Sequence, residues 1–405
     1  MKFKLIFVIN CILMGFAVGV LAALFLTVVN FLINTIWVSI PNLFHRPDYY
    51  PLIIGVIGGG IVGILQSKLG GYPRTIDETR HEFKITHKVA YKKDLPRNFI
   101  MAIIVLAFGA SLGPEAALAG ILGGLISWLG DRMKLTIARK NELLELGIGA
   151  MMSAIFYAPL VGVSTALEKQ PVSGQFSSRG RKIVLYIITT IAGLSGFALI
   201  RYLSPNESVF AIRMPAINWD TKVLLVLLPA LMVGIGFGYL FQLFEKYSEI
   251  IANKIHQPLL LAVLAGVAIG AFGMFSPYFL FSGEHELFKF SREATHLGLP
   301  YILLIAFGKA LLTNLCFAFG WRGGKIFPII FSSTALGFAL TELFSYTPGL
   351  VIGIVVAASV TIVISQPYVT AALLLFLFPV QFFPFIMVAC WLTSQFAKIV
   401  CRAKH

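Results

Sequence analysis

The sequence predicts an all-α integral membrane protein built from two inverted-topology repeats of full and broken helices. Three observations support this fold class. Hydrophobic residues make up 58% of the 405 residues and charged residues only 12%, whereas a soluble domain carries about 25% charged residues. Several apolar runs approach the roughly 20 residues that a membrane-spanning helix needs. Short apolar segments interrupted by Gly and Pro recur in both halves, as in transporters whose half-helices meet near the membrane midplane.

Apolar runs that predict full helices are spread along the whole chain. In order they cover 7–40, 51–69, 98–109, 183–203, 223–244, 259–275, 301–319, 350–364 and 382–396. Runs that are shorter or broken by Gly and Pro cover 113–129, 146–157, 160–167, 326–340 and 368–378. The first run follows Lys2 and Lys4 and is too long for the core of a signal peptide, so we interpret it as a retained helix.

Turn residues of the same kind occur in the same order in each half. Pro114 and Pro159 follow one another in the first half, and Pro328 and Pro367 do so in the second. This order predicts a first repeat over residues 1–205 and a second repeat over residues 206–405.

The basic residues predict the topology. The net charge is +14, and the segment 68–97 is rich in Lys and Arg. It follows two predicted spans and therefore shares a side with Lys2 and Lys4, which the positive-inside rule assigns to the cytoplasm. We predict a multi-pass protein of the cell membrane with cytoplasmic N- and C-termini. Because the basic residues lie in short loops between apolar segments, no nucleic-acid partner is predicted.

Three Gly/Pro turns are candidates for anion binding. They are the segment 70–73, the segment 112–114 and the segment 323–328. A helix N-terminus offers unpaired N–H groups and partial positive charge to an anion, so we predict that the helix starts at Gly71, Gly113 and Ile326 converge on one site. The alternative is that these turns only allow close helix packing or kinks.

The order of the motifs resembles that of the CLC family of chloride channels and proton/chloride exchangers. The segments that carry the resemblance are Gly-Tyr-Pro at 71–73, Leu-Gly-Pro-Glu at 112–115, Tyr-Ala-Pro-Leu-Val-Gly at 157–162 and Gly-Gly-Lys-Ile-Phe-Pro at 323–328. The forms Ser-Leu-Gly-Pro-Glu and Arg-Gly-Gly-Lys-Ile-Phe-Pro are similar to those of a divergent bacterial branch of ion-transport proteins. The resemblance implies the CLC-type fold, a homodimer in the lipid bilayer and transport of chloride or a similar small anion, without cytoplasmic CBS domains.

Carried over by position, the resemblance assigns an anion site and several departures from it. The anion-binding candidates are Gly70, Gly71, Tyr72, Leu112, Gly113, Gly324, Lys325, Ile326 and Phe327, with the amides of Lys325 and Ile326 matching those that hold the central chloride. Leu112 matches the gating glutamate, and Lys169, next to Glu168, matches the inner proton-transfer glutamate. Because neither residue relays a proton, we predict a passive channel; the alternatives are a proton-coupled exchanger that uses Glu115 and a transporter of another anion such as fluoride.

Charged residues near these turns have two interpretations. Glu115 is either a favourable acid in a first helical turn or a displaced gate. Lys309 is either paired structurally or adds positive potential to the anion path. Arg322 and Lys325 either extend toward the membrane surface or act electrostatically. Glu168 is a further candidate for gating.

Other function classes are less consistent with the sequence. The segment Gly193-Leu194-Ser195-Gly196 matches an intramembrane serine protease motif, but the histidines that follow it lie outside the long apolar runs, so a small-residue packing face explains it better. A membrane scaffold without transport is a further alternative. We therefore predict a protein that is not an enzyme, with no catalytic residue, cofactor or metal.

Overall fold

The computed structural model describes residues 5–45, 47–86, 91–132, 137–168, 176–203 and 219–402. The helices are α1 (Leu5–Asn34), α2 (Ile40–Leu43), α3 (Tyr50–Leu69), α4 (Ile76–Thr86), α5 (Tyr91–Ala107), α6 (Glu115–Arg132), α7 (Ile137–Ile155), α8 (Pro159–Glu168), α9 (Phe176–Leu203), α10 (Val223–Lys254), α11 (Pro258–Phe275), α12 (Glu286–Glu293), α13 (Leu299–Ala318), α14 (Ile326–Leu343), α15 (Pro348–Ile364), α16 (Pro367–Leu374) and α17 (Phe383–Arg402). A π-helical turn, Thr35–Ser39, joins α1 to α2. Within these ranges there is no β-strand, which agrees with the predicted all-α class.

Eight helical stretches of the described chain are long and apolar enough to cross a membrane. They are Leu5–Leu43, Tyr50–Leu69, Lys182–Leu203, Val223–Lys254, Pro258–Phe275, Leu299–Ala318, Ile326–Leu343 and Val380–Val400. Two predicted full spans differ: 98–109 is the end of α5, which starts in a charged segment, and 350–364 belongs to α15, which is only 17 residues long. Conversely, the predicted broken helix at 326–340 extends to Leu343.

Glycines allow several pairs of these helices to pack backbone against backbone. In α3 and α11, a Cβ atom on Gly55 would lie 2.2 Å from the carbonyl oxygen of Gly266, and a Cβ atom on Gly266 would lie 2.1 Å from that of Gly55. In α1 and α9, a Cβ atom on Gly19 would lie 1.8 Å from the carbonyl oxygen of Gly193. Because lipid does not drive apolar helices together, such close approach is a main source of packing energy in a bilayer.

The contact between Gly19 and Gly193 also bears on the serine protease motif. Gly193 and Gly196 face α1, and the Ser195 hydroxyl donates a hydrogen bond to the Ala192 carbonyl oxygen at 2.8 Å. The segment is therefore used as the small-residue packing face that the sequence predicts.

The most buried helices of the described chain are α14 and α15. Nearly every side chain of α15 is buried, and α14 is buried over its first three and a half turns, from Phe327 to Ala339. The hydroxyls of Ser332 and Ser333 donate hydrogen bonds to carbonyl oxygens of their own helix. This packing places the N-terminus of α14 in the interior of the protein.

Short helices occur in both halves, as the repeat pattern predicts. The helices α6 and α14 are both 18 residues long, and α8 packs against α16. The predicted division between the repeats, at residues 205 and 206, falls in 204–218, outside the described residues. The repeat boundaries therefore stay a prediction.

Candidate functional site

The second and third Gly/Pro turns meet in the centre of the protein. Gly113 and Gly324 form an isolated antiparallel bridge, in which each N–H donates to the other's carbonyl oxygen at 2.8 Å. Because Gly113 lies just before α6 and Gly324 just before α14, the bridge brings the N-termini of these two helices together. The predicted convergence is thus found for two of the three turns.

The Glu115 carboxylate lies over this bridge. A Cβ atom on Gly324 would lie 1.8 Å from Glu115 Cδ, and one on Gly113 would lie 2.0 Å from Glu115 Oε2. The two glycines therefore leave open the space that the carboxylate occupies.

The same carboxylate is bound by the N-terminus of α14. The Ile326 N–H donates to Glu115 Oε1 at 2.8 Å, and the Phe327 N–H also stabilises the carboxylate. Glu115 is 1% exposed, and its Oε2 atom has no hydrogen bond within the described chain. The helix N-terminus thus holds a buried anionic group, which is the arrangement that favours anion binding.

A cavity of about 300 Å³ leads to this carboxylate. It lies on the side of the membrane where α1 begins, which we call the N-terminal side, because α1 crosses once, α3 crosses back, and the segment after α3 lines it. Charged and polar residues around the cavity are Thr75, Asp77, Arg80, Glu115, Thr165, Glu245, Lys325 and Gln366. An anion entering from the N-terminal side would meet Glu115 at the end of this cavity.

The first Gly/Pro turn is not part of the cavity lining. The helix predicted to start at Gly71 starts at Ile76 instead, so that prediction is wrong. Gly70 ends α3 at a φ of 94°. The Gly71 carbonyl accepts from Arg322 Nη1 at 2.7 Å, and the buried Tyr72 hydroxyl donates to Asp94 at 2.6 Å. The turn is instead tied to the second half of the chain.

The amides that face the carboxylate belong to Ile326 and Phe327, both of which are among the predicted anion-binding residues. Lys325, whose amide was matched to the central anion together with that of Ile326, is the N-cap of α14. Leu112, the position matched to the gate, is fully buried and lines a different, smaller cavity.

The two basic residues of the third turn are each paired with an acid. Arg322 forms an ion pair with Glu78, and Lys325 Nζ lies 2.6 Å from Glu245 Oε1. Both cations also stack on the ring of Phe317, at 5.6 and 3.8 Å from its centroid. Lys325 lines the central cavity, so its charge acts there, offset by that of Glu245.

Lys309 has a structural position. Its fully buried ammonium donates to four successive carbonyl oxygens, those of residues 278–281, at 3.0 to 3.4 Å. One turn later on α13, the Thr313 hydroxyl lies 3.0 Å from that of Ser111. Lys309 therefore fixes the loop after α11, and α13 also contacts the turn before α6.

Glu168 lies at the end of α8 and contacts another short helix. Its Oε2 atom accepts from the N–H of Tyr368 at 2.9 Å, in the first turn of α16. Lys169, matched to the inner proton-transfer position, lies outside the described residues.

Sequence reasoning missed several residues near the site. Arg80 and Glu245 line the central cavity, and Glu284 lines the smaller cavity near Leu112. Glu245 could have been noticed, because it immediately follows the apolar run 223–244. Arg80 stands among other charged residues of a polar segment, and Glu284 stands in a loop, so neither has a local signal. Among the described residues, no group of three His, Cys, Asp or Glu side chains could hold a metal ion.

Comparison with known families agrees with this architecture. The family described as voltage gated chloride channel matches residues 58–398, most of the chain. The chain belongs to the voltage gated chloride channel family. The family transports anions across membranes, so this membership supports anion transport by a membrane-spanning protein.

Three proteins similar to this member of the voltage gated chloride channel family share 25% sequence identity or less with it. YfeO of Shigella flexneri, whose name assigns it provisionally to ion transport, is 25% identical over 339 residues, which cover 80% of this chain and 78% of YfeO. A slow cyanobacterial Cl⁻/H⁺ antiporter superposes with a TM-score of 0.79 at 19% identity, over 96% of this chain and 93% of the antiporter. A CLC-type fluoride/proton antiporter gives a TM-score of 0.71 at 18% identity, over 97% and 96% of the two chains. These likenesses confirm the CLC-type fold.

Proposed function

We propose that this protein exchanges a small anion, with chloride as the first candidate, for protons across the cell membrane, with Glu115 as the gate. The observation that carries the proposal is the Glu115 carboxylate on the N-terminus of α14. A carboxylate held by backbone N–H groups occupies the place that a permeating anion would take, because both are anions bound by the same donors. The turn that presents it is held by the Gly113–Gly324 bridge.

Protonation decides whether the gate stays in place. The ionised carboxylate accepts a charge-assisted hydrogen bond from Ile326, which is about twice as strong as a neutral one. The protonated carboxyl has lost that charge, so an anion from the cavity displaces it. When the anion leaves and the carboxyl returns to the amides, its proton must first be released. One carboxyl group can in this way link the movement of an anion to that of a proton.

The proposal differs from the passive channel that the sequence favoured. That prediction depended on Leu112 and Lys169 at the two positions of proton transfer. The support for exchange is that a carboxylate, that of Glu115, lies on the anion-binding amides although Leu112 occupies the matched position. Chloride flux without any proton movement would instead indicate a passive channel.

Replacing Glu115 with Gln is expected to raise anion flux and abolish its pH dependence. The amide side chain carries no charge, so it binds the α14 N-terminus less strongly by about 1–1.5 kcal/mol, equivalent to roughly fivefold to tenfold in site occupancy. In the wild-type protein, lower pH protonates Glu115 and speeds anion flux. Efflux of chloride, nitrate, fluoride and phosphate from proteoliposomes, recorded with internal pH, measures both effects.

The control for this variant is Glu342→Gln at the exposed far end of α14. It removes the same charge from the same helix and should leave flux and pH dependence unchanged. A Glu115→Gln protein that keeps wild-type proton movement against an imposed pH gradient would contradict the proposed gate. Chloride efflux from the wild-type protein without any proton movement would show a passive channel.

A second prediction concerns the Lys325–Glu245 pair. Removing the negative charge with Glu245→Gln leaves Lys325 unbalanced beside the cavity and should raise chloride flux about twofold to fivefold at low salt, as expected for a partly exposed pair worth roughly 0.5–1 kcal/mol. Lys325→Met should lower it. Because salt screens such charges, both changes should shrink as ionic strength rises; initial rates at two salt concentrations measure this. Equal rates in the two variants would contradict an electrostatic role.

The remaining assignments follow from the same proposal. We place the N-terminal side at the cytoplasm, in line with the basic segment 68–97. Fluoride is the alternative anion, since the name of one structural neighbour assigns it fluoride/proton exchange. A homodimer is implied by the family resemblance.

A further inference from the structure

A second, much smaller cavity lies on the other side of the turn that carries the gate. Its volume is about 20 Å³, and its lining includes Leu112 and Pro114 of the turn before α6, together with Ser282 and Glu284 of the loop after α11. It also touches the last two turns of α1, at Leu26, Val29, Asn30 and Ile33. Because these turns are at the opposite end of α1 from its start, this cavity faces the far side of the membrane.

Glu284 is an unexplained residue at this cavity. It is only 8% exposed, and within the described residues its carboxyl group takes part in no hydrogen bond. Burying a carboxyl group is costly, and such residues in membrane proteins are usually functional. Its backbone N–H donates to the Ser282 hydroxyl at 3.3 Å, so the loop is ordered around it.

Glu284 and Glu115 are close enough to interact electrostatically. The two carboxyl groups lie on opposite sides of the segment 112–114, one lining each cavity. The buried Oε2 atom of Glu115 has no hydrogen bond in the described structure. Two such groups that repel each other as anions favour a shared proton over two charges.

The charged groups around Glu284 come from several elements. Arg201 of α9 attracts its carboxylate, and Glu115 of α6 repels it. His285 follows it in the chain and lies 3.2 Å from Asn30 Oδ1 through Nε2, at the exposed rim. Glu286, at the start of α12, interacts with His285 and Lys309. Glu284 and His285 therefore both line the small cavity, with His285 at its exposed rim on the far side.

We propose that Glu284 is a second proton-carrying carboxyl group, which passes protons between Glu115 and the far side of the membrane. The step is a proton transfer from the Glu115 carboxyl to the Glu284 carboxylate past the turn 112–114, and from there through one water molecule in the small cavity to the solution. A cavity of this size holds about one water, which suits a proton relay. The negative charge of Glu284 and the apolar side chains of Leu26 and Leu106 exclude an anion from the same route. The proposal rests on the proposed exchange with Glu115 as the gate.

Replacing Glu284 with Gln tests the proposal in proteoliposomes with an outward chloride gradient and voltage clamped at zero. Proton movement should fall by about tenfold or more, while chloride efflux stays within about twofold of wild type, so the ratio of chloride to protons rises. Glu284→Asp keeps a carboxyl group and should restore much of the proton movement. Glu286→Gln, which removes the neighbouring acid outside the cavity lining, should keep the wild-type ratio.

A second variant avoids any change of charge. Val29→Ile adds one methylene group at the cavity wall and should also reduce proton movement, because it takes the place of the water. A wild-type chloride-to-proton ratio in Glu284→Gln overturns the role of Glu284 and leaves the gate of Glu115 intact. A wild-type protein that moves chloride without protons overturns both the exchange and this relay. If the Glu284→Gln protein does not fold, the Val29→Ile protein tests the relay instead. An unchanged chloride-to-proton ratio in that protein overturns the relay.

Discussion

A Gly324→Ala substitution should abolish anion transport. The added Cβ atom would lie 1.8 Å from Glu115 Cδ and about as close to Oε1, a distance that no pair of carbon atoms tolerates. The methyl group would occupy the place of the carboxylate and therefore also that of the anion. We expect chloride efflux from proteoliposomes to fall by about tenfold or more, since overpacking of this kind costs about 1–3 kcal/mol.

The direction of the change in chloride flux distinguishes a blocked anion site from the loss of the gate. Glu115→Gln weakens the occupant and should raise flux, whereas Gly324→Ala fills the site and should lower it, also in the double variant. Gly236→Ala is the matched control, because a Cβ atom at this exposed position of α10 meets nothing within 4 Å. Transport by Gly324→Ala at the rate of the Gly236→Ala protein would mean that the bridge does not border the anion path.

Lys309→Met should strongly destabilise the protein. The substitution keeps much of the side-chain length but removes a donor shared by four buried carbonyl oxygens. Leaving a buried carbonyl oxygen without its donor costs about 1–3 kcal/mol, and the loop 277–285 would lose its anchor to α13. Thermal unfolding of the detergent-solubilised protein measures the effect.

The control for this substitution is Lys246→Met on the exposed face of α10, which should unfold at the wild-type temperature. If Lys309→Met unfolds at that temperature as well, the ammonium contributes little to the fold. Normal unfolding combined with reduced chloride flux would instead favour the electrostatic role that the sequence left open.

The membrane-spanning helices could be predicted because a long apolar run indicates by itself that the segment lies in the membrane. The runs 7–40, 51–69 and 259–275 needed no knowledge of their partners, and α1, α3 and α11 follow them closely. The helix 326–343 was predicted too short because the apolar run stops at Leu340, whereas the helix continues through Thr341 and Glu342 to an exposed end. Its length follows from packing against α13 and α15.

The site was less predictable because it depends on contacts between distant segments. In a continuous helix, Glu115 would lie about 300° round the axis from Leu112, three residues earlier, and could not reach the ion. Instead, Gly113 is held in the bridge with Gly324, α6 begins at Glu115, and its side chain folds back over the bridge. The first turn was misplaced for a similar reason: Arg322 and Gln66 tie it to the second half, and no local pattern shows such a tie.

The bridge between Gly113 and Gly324 affects which amino-acid substitutions the site can accumulate during evolution. Its hydrogen bonds, like those of Ile326 and Phe327, come from peptide groups, which every amino acid except proline supplies. Most neutral substitutions around the site therefore leave its donors unchanged, whereas a side chain at either bridging glycine would take the place of the Glu115 carboxylate. A saturation mutagenesis library should accordingly tolerate few substitutions at these two glycines and many at the positions around them. Related proteins can therefore differ in most of their side chains here and keep the same arrangement of backbone donors.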